Sequence, residues 1–101
     1  MTRDQEIRQM LIGLFGKFGS RLAGHRVVLF GSRARGDARP RSDFDLAVVG
    51  DVPLDLKDFY ALEDELDKLP TLYRFDWVDL ERSSNRFKES ALENAEGIYE
   101  P

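Results

Sequence analysis

The sequence predicts a small α/β fold in the order α-β-loop-β-α-β-α. Its mixed β-sheet has three strands or slightly more, helices packed on one face and the other face open. Three observations carry this. Two long stretches repeat apolar residues at helical spacing, three short runs are apolar and rich in β-branched or aromatic residues, and Gly or Pro separates them. With 101 residues, a second core would leave each half too small, so residues 1–101 are expected to form one domain.

Ile7, Met10, Leu11, Leu14, Phe15, Phe18 and Leu22 fall on one helical face, which makes Arg3–Ser20 an amphipathic helix despite Gly13 and Gly16. Arg26–Phe30 reads as a buried strand ending at Gly31. Gly31–Ser42, with Gly36 and Pro40, reads as a loop that has room for one helical turn. Asp43–Val49 is a second strand, stopped by Gly50-Asp51-Val52-Pro53. Leu56, Phe59, Tyr60, Leu62, Leu66 and Leu69 mark a helix over Asp55–Leu69 with Pro70 as its stop. Tyr73–Leu80 is a third strand. Ser84 caps a last helix, Asn85–Glu96, with Gly97 at the position where a left-handed residue closes a helix.

Composition removes whole classes of chemistry. There is no Cys, which excludes disulfides, thiolate zinc sites and cysteine nucleophiles, and a single His excludes any site needing two imidazoles. A net charge of −4 argues against general nucleic-acid binding. No apolar run approaches the ~20 residues of a membrane span, and Met1–Gln9 is too charged for a signal peptide, so a cytoplasmic location without membrane contact is expected. The charge is uneven, however: Arg33–Ser42 holds four arginines and one acid, Asp37. An acidic chain with one such loop can accept a small anion there while repelling long polyanions.

The candidate chemistry lies on the second and third strands. Alternation places Phe44, Leu46 and Val48 on one face of Asp43–Val49, and Asp43 and Asp45 on the other with Ala47 and Val49. Tyr73, Phe75 and Trp77 likewise oppose Arg74, Asp76 and Val78. If the aromatic faces meet the helices, Asp43, Asp45 and Asp76 project from the open face, with Trp77 in the core. Alternate α-carbons on a strand are roughly 6.5–7 Å apart, so such carboxylates can converge on an ion. Three grouped carboxylates repel one another. A divalent cation relieves this, and an all-oxygen donor set selects magnesium, manganese or calcium. A bare Asp-x-Asp is equally a charged strand edge, so the preceding loop has to decide. There Gly31 lets backbone N–H groups approach a phosphate, Ser32 can donate to it, and Arg33 and Arg35 are the nearest cations.

Gly31-Ser32-Arg33-Ala34-Arg35-Gly36 followed by Arg41-Ser42-Asp43-Phe44-Asp45-Leu46 resembles the signature of the minimal nucleotidyltransferases of the DNA-polymerase-β-like superfamily, which is Gly-Ser, ten residues, then Asp-x-Asp. Phe75-Asp76-Trp77-Val78-Asp79-Leu80 is similar to the family's third-carboxylate strand and maps that carboxylate onto Asp76, the residue that parity also selects over Asp79. The resemblance runs from about Val27 to Tyr99. It departs conservatively, with Phe at 44 where aliphatic residues are usual and Trp at 77.

The resemblance implies the nucleotidyltransferase fold and transfer of a nucleoside monophosphate from an NTP to a hydroxyl, with release of pyrophosphate. It implies two Mg2+ ions, for which Mn2+ substitutes, held by Asp43, Asp45 and Asp76. Asp76 also takes the hydroxyl proton, Gly31 and Ser32 cradle the β- and γ-phosphates, and Arg33 or Arg35 adds charge. The smallest members include MntA-type antitoxins paired with HEPN toxins, which implies ATP as substrate and AMP transfer to a tyrosine of such a toxin. Two alternatives stay open: nucleotidyl transfer to a small-molecule hydroxyl, and a binding-only antitoxin that occludes its partner. No residues remain for a second clamping domain, so a partner subunit or a homo-oligomer is expected. Tyr60, Tyr73 and Tyr99 are interface candidates that core packing would explain as well. His25 is expected to be exposed.

Overall fold

A computed structural model describes residues 2–101. Helix α1 (Arg3–Lys17) starts at Thr2, whose hydroxyl accepts from the Gln5 N–H while the Gln5 side chain accepts from the Thr2 N–H. A 3-10 turn (Gly19–Leu22) leads into strand β1 (His25–Phe30), followed by the single-turn helix α2 (Gly31–Arg35). Strand β2 (Phe44–Gly50) precedes helix α3 (Leu56–Asp67), which is capped by the Asp55 carboxylate accepting from Lys57 N–H. Strand β3 (Phe75–Asp79), a 3-10 turn (Leu80–Arg82), helix α4 (Asn85–Leu92) and strand β4 (Glu96–Tyr99) complete the chain.

The sheet order is β3-β2-β1-β4. β1 runs antiparallel to β2 and β4, and β2 runs parallel to β3 across the α3 crossover. Side chains of α1, α3 and one sheet face form the main core, around Leu11, Phe15, Leu29, Leu46 and Leu62. Trp77 lies there between Phe15 and Phe59, with ring centroids 5.5 and 5.4 Å away, and its indole N–H donates to the Phe59 carbonyl. On the opposite face Val28, Ala47 and Val49 pack with Leu80 and Ala91. α4 therefore covers part of the face expected to be open and leaves clear the end that carries Asp45 and Asp76.

Three further sequence expectations change. The last helix stops at Leu92, and Gly97 lies in β4 without a positive φ. The reason is tertiary: Glu96–Tyr99 pairs with β1 across a bulge and sends Ile98 into the main core. His25 is buried, not exposed. It begins β1 with its Nδ1 and Nε2 3.0 and 2.8 Å from the Ala23 and Val52 carbonyls. Asp43 lies just outside β2, so it does not take part in the strand's alternation.

Candidate active site

Register brings the carboxylates together. Asp45 pairs with Asp76 on one side and with Phe30 on the other, so Asp76, Asp45 and the last residue of β1 form a row across the sheet. The two carboxyls are within reach of a hydrogen bond that forms when one is protonated. Asp45 is pushed up to about 6, first by burial, then by that hydrogen bond and by repulsion from Asp76 and Asp43; the Arg35 guanidinium works against the rise. Among the described residues no three acidic or imidazole groups stand ready around one ion. Asp45 and Asp76 meet, while Asp43 sits at the exposed loop end. The set still suits a hard divalent cation: every donor is oxygen, and an ion beside Asp45 and Asp76 would neutralise charges that repel one another.

The rise at Asp45 has a measurable consequence. Because the folded-state value of Asp45 is raised, between about pH 4 and 6 the folded chain keeps a proton that the unfolded chain has released. This contribution is complete at the acid end, falls as pH rises through about 6 and is then flat. Stability of the wild type relative to Asp45→Asn, measured by urea unfolding at several pH values, should drop across that window. A difference independent of pH would show that the folded chain does not raise Asp45.

Gly31 turns the chain directly above this pair. Its φ of +72° is in the left-handed region, and a Cβ there would overlap Oδ2 of Asp45, with the Asp45 Cγ only 3.2 Å away. The glycine is thus required both by the turn and by the carboxylate. Ser32 is half-buried beside it, and its carbonyl accepts from the N–H groups of Gly36 and Asp37. Arg35 is half-exposed, is paired with Asp37 at 3.3 Å, and is near enough to influence Asp45.

Arg33 is placed differently from the expectation that it faces phosphate. It is buried and turned away from the carboxylates, with its guanidinium 4.3 Å over the Phe44 ring and 5.2 Å over that of Tyr73. Its NH1 donates to Asp4 at 3.0 Å and its NH2 to the carbonyls of Pro40 and Ser42 at 3.1 and 2.7 Å, while Nε has no partner. Arg33 therefore fastens the loop that delivers Asp43. The aromatic residue at 44, unusual for the motif, is the platform on which this arginine stacks. The sequence also did not single out Arg74, which with Arg3, Arg41 and Asp43 lines a hollow of about 530 Å3 next to the site. That hollow joins segments distant in sequence, and no motif marks it.

Residues 17–101 match the family described as polymerase beta, nucleotidyltransferase. The chain belongs to this family. A protein of Methanocaldococcus jannaschii named as a protein adenylyltransferase is 38% identical over 55 residues, which are 54% of this chain and 53% of that one. The chain thus spans about half the length of that relative. A solved structure described as a minimal nucleotidyltransferase is 32% identical, with 91% of this chain and 89% of that one covered and a TM-score of 0.58. The fold is also that of a chain in a Shewanella oneidensis complex, described as a tri-AMPylated HEPN toxin with its MNT antitoxin. That chain is 20% identical, with 93% of this nucleotidyltransferase and 73% of the other covered and a TM-score of 0.58. Among the described residues no helix is long and apolar enough to cross a membrane.

Proposed function

We propose that this nucleotidyltransferase acts as an antitoxin that transfers AMP from ATP to a tyrosine hydroxyl of a HEPN-type toxin, releasing pyrophosphate. The observation that carries the reading is the joined Asp45–Asp76 pair directly beneath the Gly31–Ser32 turn. The relative named as an adenylyltransferase and the complex containing a tri-AMPylated toxin support the choice of AMP and of a protein acceptor.

Asp43, Asp45 and Asp76 would hold magnesium, in two ions and replaceable by manganese, which supplies charge neutralisation at the phosphates. The Gly31 N–H and the Ser32 hydroxyl receive the β- and γ-phosphates, and Arg35 faces the same charge. The tyrosine oxygen bonds to the α-phosphorus as the bond to the bridging oxygen breaks. Its proton passes to the Asp76 carboxylate and pyrophosphate leaves with the electron pair. Arg33 acts only by holding the Ser42–Asp43 backbone in place.

The test is incubation with isotope-labelled nucleotides, magnesium and a HEPN-type protein of the same organism, followed by intact-mass measurement. One or more AMP units should appear on the HEPN protein, from ATP in preference to other nucleotides, and not with Asp45→Asn. Magnesium with ATP should also raise the melting temperature of the wild type, because a ligand bound only by the folded state stabilises it. An unchanged partner mass with folded wild-type protein overturns the reading.

A further inference from the structure

In-line transfer puts the entering and leaving oxygens on opposite sides of phosphorus. In this sheet the order along the carboxylate row is Gly31 after β1, Asp45 on β2, then Asp76 on β3. If pyrophosphate leaves at the Gly31 end, the acceptor enters beyond Asp76, where the sheet ends. β3 is an edge strand, and the residue that meets the acceptor is part of that edge.

The free backbone groups of the edge follow from the pairing. Phe44 N–H donates to the Arg74 carbonyl, and the parallel register then directs the backbone of Asp76 and Val78 toward β2. The N–H and C=O groups of Phe75 and Trp77 point outward, and none of them is hydrogen-bonded among the described residues. A hollow of about 540 Å3 runs from the active site, where Asp45 and Phe87 line it, across Asp76 to the edge at Phe75, Trp77 and Glu63. A second of about 380 Å3 continues it past Asp67 and Arg74. The carboxylates of Asp45, Glu63, Asp67 and Asp76 outnumber the one cation that lines the two hollows, Arg74.

We infer that the acceptor docks as an extended, basic polypeptide segment that adds a strand to the free edge of β3 and sets its hydroxyl-bearing residue opposite Asp76. Strands pair about 4.8 Å apart, and residues opposite one another share a face. A residue placed opposite Asp76 therefore stands beside that carboxylate as Asp45 does on its other side. Its neighbours point the other way, toward Glu63 and α3, where lysine or arginine is favoured. Main-chain bonds to Phe75 and Trp77 supply register, and alternate side chains supply selectivity. The inference rests on the proposed transfer to a protein.

The probe is a heptapeptide with a central tyrosine, lysine at the odd separations from it and threonine at the even ones. Amide exchange of the protein is followed by NMR with and without the peptide, and AMP transfer to the peptide is followed by mass. The Phe75 and Trp77 amides should gain about tenfold protection while those of Asp76 and Val78 do not change. N-methylation of one alternating set of peptide residues should abolish both effects, and of the other set neither; which set it is reports antiparallel or parallel addition. AMP transfer without protection of Phe75 and Trp77, absence of protection at millimolar peptide, or equal tolerance of both methylation patterns overturns the inference. Protection without transfer instead sinks the proposed activity and leaves the docking edge standing.

Discussion

Asp76→Asn should remain folded and lose roughly 10²–10⁴-fold in AMP transfer, about 3–5 kcal/mol of transition-state stabilisation. The substitution keeps the shape and leaves an amide that can still donate to Asp45, but it removes the group that takes the hydroxyl proton. Asp76 is exposed, so little packing is lost and the melting temperature should scarcely move. Asp79→Asn, only three residues on, should behave in the opposite way. The Asp79 side chain is 2% exposed; it accepts from the N–H groups of Leu54 and Glu81 at 2.8 and 2.9 Å and lies 3.7 Å from Arg82. An amide would aim a donor at a buried donor, so about 1–3 kcal/mol of stability should go while the folded fraction transfers AMP normally. Activity assays and urea unfolding on both variants give the answer. If Asp79→Asn is the folded but inactive protein, the third carboxylate has been assigned to the wrong side of β3.

Gly31→Ala should cost more than any other single methyl group near the site. A φ of +72° costs an L-residue about 1–2 kcal/mol, and the new Cβ overlaps the Asp45 carboxylate. A displacement of about 1 Å at a reacting group lowers rates by roughly 10²-fold, so transfer should fall at least that far. Gly36→Ala is the matched control. Gly36 has φ +83°, and a Cβ there meets nothing within 4 Å, so the backbone cost recurs without the collision. Both variants should unfold at lower urea, and only Gly31→Ala should lose activity beyond its folded fraction. Equal activity in the two would show that the overlap is absorbed without moving Asp45.

The Asp45–Asp76 pairing was legible in the sequence because strand alternation needs only local information. Two runs that each hide aromatic residues on one face must show their aspartates on the other, and a parallel register completes the pair. The Gly-Ser turn was legible for a similar reason, since a glycine at a strand end signals a special backbone. Arg33 was not. Reading it as a phosphate ligand followed from its place between Ser32 and Arg35, whereas its burial depends on Phe44, Tyr73 and Asp4, which only the folded chain assembles. β4 was missed because Gly97 after a helical run reads as a helix stop. Its pairing with β1 is a long-range contact that outweighs that local preference. His25 misled for the same reason: its two carbonyl neighbours belong to Ala23 and to the distant Val52.

The arginine buried under the Pro40–Ser42 loop also limits how the sequence can drift. Asp4 serves both Arg33 and Arg8, and Arg8 in turn holds Glu96 and the Arg33 carbonyl. Replacing Arg33 alone leaves Asp4 with Arg8 as its one cation and the faces of Phe44 and Tyr73 without theirs. Replacing Asp4 alone leaves a buried guanidinium short of its counter-charge. Positions 4, 33, 44 and 73 are therefore tied into one inherited unit. In aligned relatives they should be exchanged as a set, an apolar residue at 33 arriving with a neutral one at 4 and an aliphatic one at 44, even though none of the four touches a reacting atom.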